Sequence, residues 1–461
     1  MQEPSVAPDS LVMFRNSRGF AGRGTLLHLT RHHVAIEVYN PYSIVQLSEV
    51  LEDVRILRRG YAIYQGKAVV TTLLPTGSVT IVSATLVDPW SDLSGVFDSE
   101  GVRAETARFI DTWTAGSQLR PGYQLAVNNL ASFLQELSRW LGQAETLYSS
   151  RMAADFGELF DEVWPPVEQK LDQLFRAFEA EAQQIPEDDA PNHRTFAQRE
   201  LHPLLMCDPF IHRSFTKPLG YAGDYQMVNM ILAAKAVMTS TYARVVSTFN
   251  LTRAPAVAHR NRVDHLEALL RREARRCNEA GRALRVLNVG CGPATEVERF
   301  IASGAEARGT RLTLVDFNEE TLAYAKERLE RARTESALEF ELSTLHQSIH
   351  ELLKAAASGE SSLASEYDFV YCAGLFDYLS DRVCKRLVRL FCAWTAPGGL
   401  VVATNVHGKN PIRYYMAHVA EWYLEYRDEL AFARFAPDES ANVATDDTGV
   451  NLYLEIRRRA S

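Results

Sequence analysis

From residue 1 to about 92 the chain alternates apolar with polar positions, the period-two pattern of half-buried strands. Val34, Ile36 and Val38 alternate in "VAIEV", and "AVVTTLLPTGSVTIVSATL" reads as two strands around the turn residues Pro75-Thr76-Gly77. About six short strands in so short a stretch predict a small β-barrel. From about 101 the period lengthens. Met152, Phe156, Leu159, Phe160, Val163 and Val167 recur at helical spacing and continue into Leu171, Leu174, Phe175 and Phe178. Pro165-Pro166 should kink or restart that helix. "QQIPEDDAPNHR" (183–194) reads as a loop, and a second helical stretch follows from about 194 to 280. From about 284 the two periods alternate. Strands "LRVLNVG", "RLTLVDF", "YDFVYCAGL" and "GGLVVATNV" interleave with helices "TEVERFIASG", "EETLAYAKERLERAR" and "DRVCKRLVRLFCAW", and "VNLYLEIRRR" closes as a strand. That order predicts an α/β fold with a doubly wound, Rossmann-like, mostly parallel sheet. The chain divides into a β-barrel domain (1–95), a helical linker and lid region (96–255) and the α/β domain (256–461).

Composition adds exclusions rather than functions. Of 461 residues, 46% are hydrophobic and 23% charged, an ordinary globular balance. A formal net charge of −9 argues against general affinity for phosphate backbones or anionic membranes, so no nucleic-acid partner is expected. No apolar run is long enough to span a bilayer, so no membrane insertion is expected. "MQEPSVAPDSLVMF" lacks the basic start and apolar core of a secretory signal. The six cysteines (207, 277, 291, 372, 384, 392) are not spaced as metal pairs and read as reduced thiols of a cytoplasmic protein.

The chemistry concentrates where the first α/β strand hands over to its helix, in "NVGCGPATEVERF" (288–300). In doubly wound sheets ligands bind at the carboxyl ends of the strands. Gly290 and Gly292 let the backbone turn tightly and approach a ligand with no Cβ in the way. The next strand ends in Asp316, placed to take both hydroxyls of a ribose. A glycine turn made only for helix–strand packing would explain the pair, but not the spaced carboxylate in the same α/β context. A dinucleotide site would want a third glycine for its pyrophosphate. Ala294 stands there, followed by Thr295 and Glu296, whose carboxylate would repel a pyrophosphate and suits a cofactor with a cationic amino-acid end. That points to S-adenosylmethionine.

On "VLNVGCGP", "LVDFN" and "APGGLVV", residues 284–461 resemble the class I S-adenosylmethionine-dependent methyltransferases. The resemblance implies that Gly290, Cys291, Gly292 and Pro293 line the methionine part of the cofactor. It implies that Asp316 holds the ribose with Phe317 and Asn318 beside it, and that Gln347, Ser348 and Ile349 flank the adenine. Ala373, Gly374 and Leu375 would lie beneath the sulfonium. Two positions depart from the family: Asn288 replaces the usual acidic residue two before the first glycine, and Ala294 replaces the third glycine. Glu296 is the candidate for the missing charge. Arg262, in "HRNRVDHL", could reach the cofactor carboxylate or form a surface ion pair.

"KPLGYAGDYQMVNMI" (217–231) sets two glycines, two tyrosines and an aspartate before an apolar helix that Asp224 can cap. By residue type it is a capped turn joining two helices. The string also resembles one in bacterial methyltransferases for making 3-hydroxypalmitic acid methyl ester, which pair a small PilZ-like β domain with the methyltransferase over a length like this whole chain. That resemblance implies a helical lid carrying Tyr221, Asp224 and Tyr225, whose closure would exclude water from methyl transfer. PilZ domains bind cyclic di-GMP through paired arginines and an Asp/Asn-x-Ser-x-x-Gly turn. Here that stretch reads "HLTRHH" (28–33), and Arg15, Arg18 and Arg23 are wrongly spaced, so the fold is expected without cyclic di-GMP binding. His346 and His350 have a metal-binding helical spacing but no third ligand nearby, and "RREARR" (271–276) reads as a solvated helix face. "NPIRYYMAHVAEWYLEYRDEL" (410–430) carries Tyr414, Tyr415, Trp422 and Tyr426 after a strand end, suited to substrate recognition or equally to core packing.

A sulfonium methyl is already electrophilic, so the protein must align a nucleophile with it. A carboxylate, with a pKa of about 4 to 5, needs no base, whereas a hydroxyl or amine does. Asp377, Tyr378 and His407 follow strand ends and are the candidate catalytic groups. The leading expectation is carboxyl O-methylation of a small acid such as a hydroxylated fatty acid. The alternatives are N- or O-methylation of another metabolite or a peptide, and a non-catalytic sensor of cofactor or nucleotide. A homodimer is left open.

Overall fold

The computed structural model describes residues 10–39, 45–58, 61–76, 79–91, 101–116, 118–151, 156–234, 238, 240–302, 304–359, 363, 366–436 and 441–459. Gly77 and Met152, read above as turn and helix residues, lie outside the described residues. The chain forms two compact units and crosses between them several times. One holds Met1–Ala222, Ala234–Leu251 and Pro411–Tyr423; the other holds Gly223–Ala233, Thr252–Asn410 and Leu424–Ser461.

In the first unit, strands β1 (Ser10–Arg15), β2 (Ala21–Leu29), β3 (His33–Tyr39), β4 (Val50–Arg58), β5 (Tyr61–Thr76) and β6 (Val79–Leu86) close an antiparallel barrel in the order β1-β2-β3-β6-β5-β4. Period-two alternation fills its interior with Val12, Phe14, Val34, Ile36, Val38, Ile56, Val82 and Ala84. Helices α1 (Gly101–Gly116), α2 (Pro121–Arg151), α3 (Phe156–Ala182), α4 (Ala190–Leu205) and α5 (Pro209–Thr216) follow. Helix α3 runs through Pro165 and Pro166 without a restart. Both prolines and the preceding Asp161 and Glu162 are exposed, so the carbonyls left without a donor can turn to water. Residues 183–194 are not all loop: a 3-10 turn at Glu187–Asp189 leads into α4 from Ala190, with Pro191 in the first turn, where its missing N–H costs no helix bond.

Helix α6 (Tyr225–Ala233) belongs to the second unit and most of α7 (Thr241–Thr252) to the first. The second unit continues with α8 (Ala254–Glu279), β7 (Arg285–Val289), α9 (Thr295–Ala302), β8 (Arg311–Asp316), α10 (Glu319–Ser336), β9 (Glu341–His346) and α11 (Ile349–Ser358). It closes with β10 (Tyr367–Cys372), α12 (Asp381–Trp394), β11 (Thr395–Val406), α14 (Glu429–Ala433), β12 (Ala441–Thr445) and β13 (Asn451–Arg457); the intervening α13 (Arg413–Val419) lies in the first unit. The sheet order is β12-β13-β11-β10-β7-β8-β9, with β13 antiparallel to both neighbours and the run β11-β10-β7-β8-β9 parallel. Its two faces are covered separately. Leu266, Val297 and Leu322 from α8, α9 and α10 pack on one face; Leu352, Phe391 and Phe432 from α11, α12 and α14 pack on the other. Burial on both faces is why the central strands read as continuous apolar runs.

Two surface expectations change. "RREARR" is not simply solvated, because Glu273 is fully buried and takes Arg276 and Arg457 at 2.7 and 2.6 Å. His346 ends β9 while His350 lies in α11, so the pair does not share one helix. No helix of the described residues is long and apolar enough to cross a membrane.

Candidate active site

The site is built at the carboxyl ends of β7, β8, β10 and β11. After β7 the chain turns through Gly290, Gly292 and Ala294 at φ of 69°, 52° and 51°. These are left-handed conformations that glycine adopts freely and alanine at a cost of roughly 1–2 kcal/mol. The amides of Gly290 and Cys291 both donate to the Val315 carbonyl, at 2.8 and 3.1 Å, which fastens the turn to β8. A Cβ added at Gly292 would meet nothing within 4 Å, so this backbone faces open space.

Asp316 ends β8 and is buried beside that turn. Its carboxylate accepts from the amides of Gly292 at 3.2 Å and Asn318 at 3.0 Å. Burial nevertheless pushes its pKa up to about 6, the amide bonds opposing. Asn318 caps α10 through the Thr321 amide at 2.8 Å, and Phe317 beside it is half-buried. The Gln347 amide donates to the Asp316 carbonyl at 3.0 Å, bringing Gln347, Ser348 and Ile349 to the same edge. The Ser348 hydroxyl is spent on a capping box with Glu351.

Asn288 and Glu296, separate departures in the sequence, come together. Asn288 Nδ2 donates to Glu296 Oε1 at 3.2 Å and to Tyr371 Oη at 2.9 Å, and Tyr371 Oη donates to Glu296 Oε1 at 2.7 Å. Glu296 is buried, its pKa is raised by that burial, and no cation lies within ion-pair distance of it among the described residues. Arg262, on α8, is its opposite: a buried guanidinium with no carboxylate partner among the described residues. Its Nη2 donates to His259 Nε2 at 2.8 Å, and burial keeps His259 neutral. Both Nη atoms lie against Gly374, where an added Cβ would stand 3.0 Å from Nη1. Gly374 has φ of 87°, and its amide donates to Thr404 Oγ1 at 2.9 Å, fixing the Ala373-Gly374-Leu375 segment after β10. Cys291 and Pro293 are buried in the glycine turn.

Asp377 sits in a 3-10 turn, Phe376–Tyr378, and its Oδ1 accepts from the Val406 amide at 2.6 Å. Burial pushes its pKa up to about 6, with Arg262 and Arg427 opposing. Tyr378 is half-buried. His407 follows β11 and has both ring nitrogens engaged. Nδ1 accepts from the Lys409 amide at 2.8 Å, so Nε2 carries the proton and donates to Glu429 at 3.0 Å. Arg427, which the sequence did not single out, ties these loops together. It donates to the carbonyls of Phe376 at 2.9 Å and Leu379 at 2.6 Å, to Asn405 Oδ1 at 2.5 Å and to Asp381 Oδ1 at 2.9 Å.

Asp224 caps α6, accepting from the Gln226 and Met227 amides at 3.0 Å each. Tyr225 donates to Glu320 at 2.6 Å and packs on Tyr324, with ring centroids 4.6 Å apart, which docks α6 on α10 next to the Asp316 turn. Tyr221 and the 411–423 segment belong to the first unit. There the amides of Tyr414 and Tyr415 donate to the Glu179 carboxylate at 3.1 and 2.6 Å. Tyr415 is buried with its hydroxyl on Asn250 at 3.0 Å and its ring edge-on to Phe175.

Residues 286–399 match the family model described as a methyltransferase domain. The doubly wound sheet, the glycine turn and this match together define an S-adenosylmethionine-dependent methyltransferase of the class I fold, with a second, six-stranded barrel that fits a PilZ-like domain. Among solved structures, magnesium protoporphyrin IX methyltransferase from Synechocystis PCC 6803 is 13% identical, with a TM-score of 0.31 over 44% of this chain and 82% of its own. The N-methyltransferase NodS from Bradyrhizobium japonicum WM9 is 17% identical, with a TM-score of 0.29 over 42% of this chain and 86% of its own. No curated protein matches the chain. The cofactor of the class is S-adenosylmethionine, and the chemistry of the donor set fits it. A buried carboxyl and a buried guanidinium, neither with an ion-pair partner among the described residues, and a second carboxyl, that of Asp316, stand about an open glycine backbone.

Proposed function

We propose that this methyltransferase acts on the carboxylate of a small acid, such as a hydroxylated fatty acid. In this reading Glu296 pairs with the cofactor ammonium, Arg262 with its carboxylate and Asp316 with the ribose hydroxyls. Phe317 and Asn318 stand beside the ribose, and Gln347 and Ile349 flank the adenine. The cofactor, when bound, supplies a methyl group on a sulfonium. The chain's own residues position the acceptor and keep water out. Ala373, Gly374 and Leu375 form the floor, and Asp224 and Tyr225 belong to the lid.

The observation that carries the carboxylate is the engagement of His407 at both ring nitrogens. A histidine so held has no lone pair to take a proton from a hydroxyl or amine, whereas a carboxylate arrives already ionised. A second reading, a hydroxyl or amine acceptor, is favoured by Asp377, whose pKa of about 6 would let it serve as a base near neutrality. The experiment is to incubate the protein with radiolabelled S-adenosylmethionine and a panel of short and long hydroxy acids, phenols and amines. Label released as methanol by mild alkali marks a methyl ester; label stable to alkali overturns the carboxylate reading.

A further inference from the structure

A second unpaired buried arginine lies in the first unit. Arg194, on α4, is 8% exposed. Its Nη2 donates to Thr85 Oγ1 at 3.0 Å, its Cζ stands 5.4 Å over the Tyr423 ring, and its Nε is buried with no acceptor. No carboxylate of the described residues pairs with it. Its charge bears on Tyr123, Tyr423, His33 and His418, the two histidines kept neutral chiefly by burial; Glu179 and Glu421 act on the same two tyrosines without pairing with Arg194. Thr85 pairs with His33 across β6 and β3, at the start of β3 next to the β2–β3 turn. In that turn the half-buried Arg31 has a buried Nε lacking an acceptor, a Phe109 ring 5.4 Å from its Cζ and no carboxylate partner among the described residues. The Trp90 amide donates to the Arg31 carbonyl at 2.7 Å, and the Trp90 indole N–H is another buried donor without an acceptor. Asp188 acts on His33 in the opposite sense to Arg194 and His28, but pairs with neither arginine.

A buried charge without a counterion is expensive, and buried donors normally find acceptors. The chain has 58 acidic residues against 49 basic ones, so carboxylates are not scarce. We propose that Arg194, Arg31 and Trp90 form a binding site for a small oxyanion, a carboxylate or a phosphoryl group, at the β2–β3 end of the barrel. The site is independent of the methyl-transfer reading. Guanidiniums supply bidentate donors of the geometry that both groups accept, and the Phe109 and Tyr423 rings suit an anion with an apolar body.

The test is thermal unfolding of the full chain, the Arg194→Met variant and the Arg31→Gln variant in chloride. Inorganic phosphate or octanoate is then added at constant ionic strength. For the wild-type chain one oxyanion should raise Tm saturably, by about 2–4 °C at high excess. Both variants should lose most of that rise. A phosphate-selective rise identifies a phosphoryl ligand and an octanoate-selective rise a carboxylate. In chloride alone, Arg194→Met should unfold at or above the wild-type temperature, because an uncompensated buried charge has gone. A Tm rise of equal size in all three proteins would be general exclusion of salt from the surface and would overturn the site. So would the absence of any saturable rise in the wild-type chain, or an Arg194→Met variant that unfolds several degrees lower in chloride. Calorimetry with S-adenosylhomocysteine should give the same affinity for Arg194→Met as for the wild-type chain, so the outcome does not depend on the methyltransferase site.

Discussion

The side-chain amide of Asn288 reaches the Glu296 carboxylate at 3.2 Å across the first strand-to-helix turn. A carboxyl group therefore stands at the end of β7, supplied from α9 and held in place by Tyr371. The carboxyl accepts hydrogen bonds from an amide and a phenol and has no ion-pair partner among the described residues.

Glu296→Gln should weaken S-adenosylhomocysteine binding at least tenfold, since a charge-assisted hydrogen bond contributes about 1.5–3 kcal/mol. Binding of 5′-methylthioadenosine, which lacks the amino-acid end, should stay within twofold. Calorimetry with the two ligands checks both, and equal losses for both would mean that Glu296 acts on the fold rather than on the ammonium.

Asp316 gives the site a pH dependence. Its folded pKa of about 6 lies above the ordinary 3.8, so the folded chain binds this proton more tightly than the unfolded chain. Its contribution to stability is therefore greatest below pH 3.8 and is lost as pH rises through about 6. Ribose hydroxyls prefer the ionised form, so adenosine affinity should rise over the same window and level off near pH 7. Asp316→Ala should lose at least tenfold in affinity at pH 7.5 and show no such rise, as titrations at pH 5 and 7.5 would reveal.

Methyl transfer to a carboxylate should have a rate flat from about pH 6.5 to 9. His407→Ala should cost less than the hundredfold typical of a lost general base. If Asp377 is a base instead, the rate should climb through about pH 6 and Asp377→Asn should abolish the climb. Initial rates across that range separate the two.

How much of this was legible in the sequence differs by the kind of signal. The barrel, the doubly wound sheet, the turn at Gly290 and the carboxyl of Asp316 are written in local period and spacing, and those are properties of neighbours in the chain. The Glu296–Tyr371–Asn288 set and the anchoring by Arg427 are not. Tyr371 reads as one more apolar strand residue in "YDFVYC", because its partner lies 75 positions away. His407 was placed correctly at a strand end, but its neighbours Lys409 and Glu429, which occupy its ring, are set by how the loop returns. Residues 183–194 misled because Pro, Asp and Asn are as suited to starting a helix as to making a loop.

Arg427→Met should destabilise the chain by about 3 kcal/mol or more, because the Phe376 and Leu379 carbonyls and the Asn405 amide lose a buried donor together. Denaturant unfolding measures it. Arg427→Lys should recover only part, since an ammonium cannot match the planar fork.

Full-length protein titrated with cyclic di-GMP should give no saturable heat, because "HLTRHH" (28–33) supplies neither the acidic or amide residue nor the serine and glycine of the recognition turn. A micromolar isotherm would reverse that reading of the barrel.

The path of the chain constrains how the protein is made. The first unit needs Pro411–Tyr423 to be complete, and the second needs Gly223–Ala233 from far upstream as well as Leu424–Ser461. Neither unit can therefore finish folding while most of the other is still being synthesised. The barrel can close early on the ribosome, but helices α3, α4 and α5 must wait for a segment translated some two hundred residues later. During that interval their apolar faces are open to wrong partners, and biogenesis rather than equilibrium stability becomes the stage at which substitutions in 411–423 would first be felt.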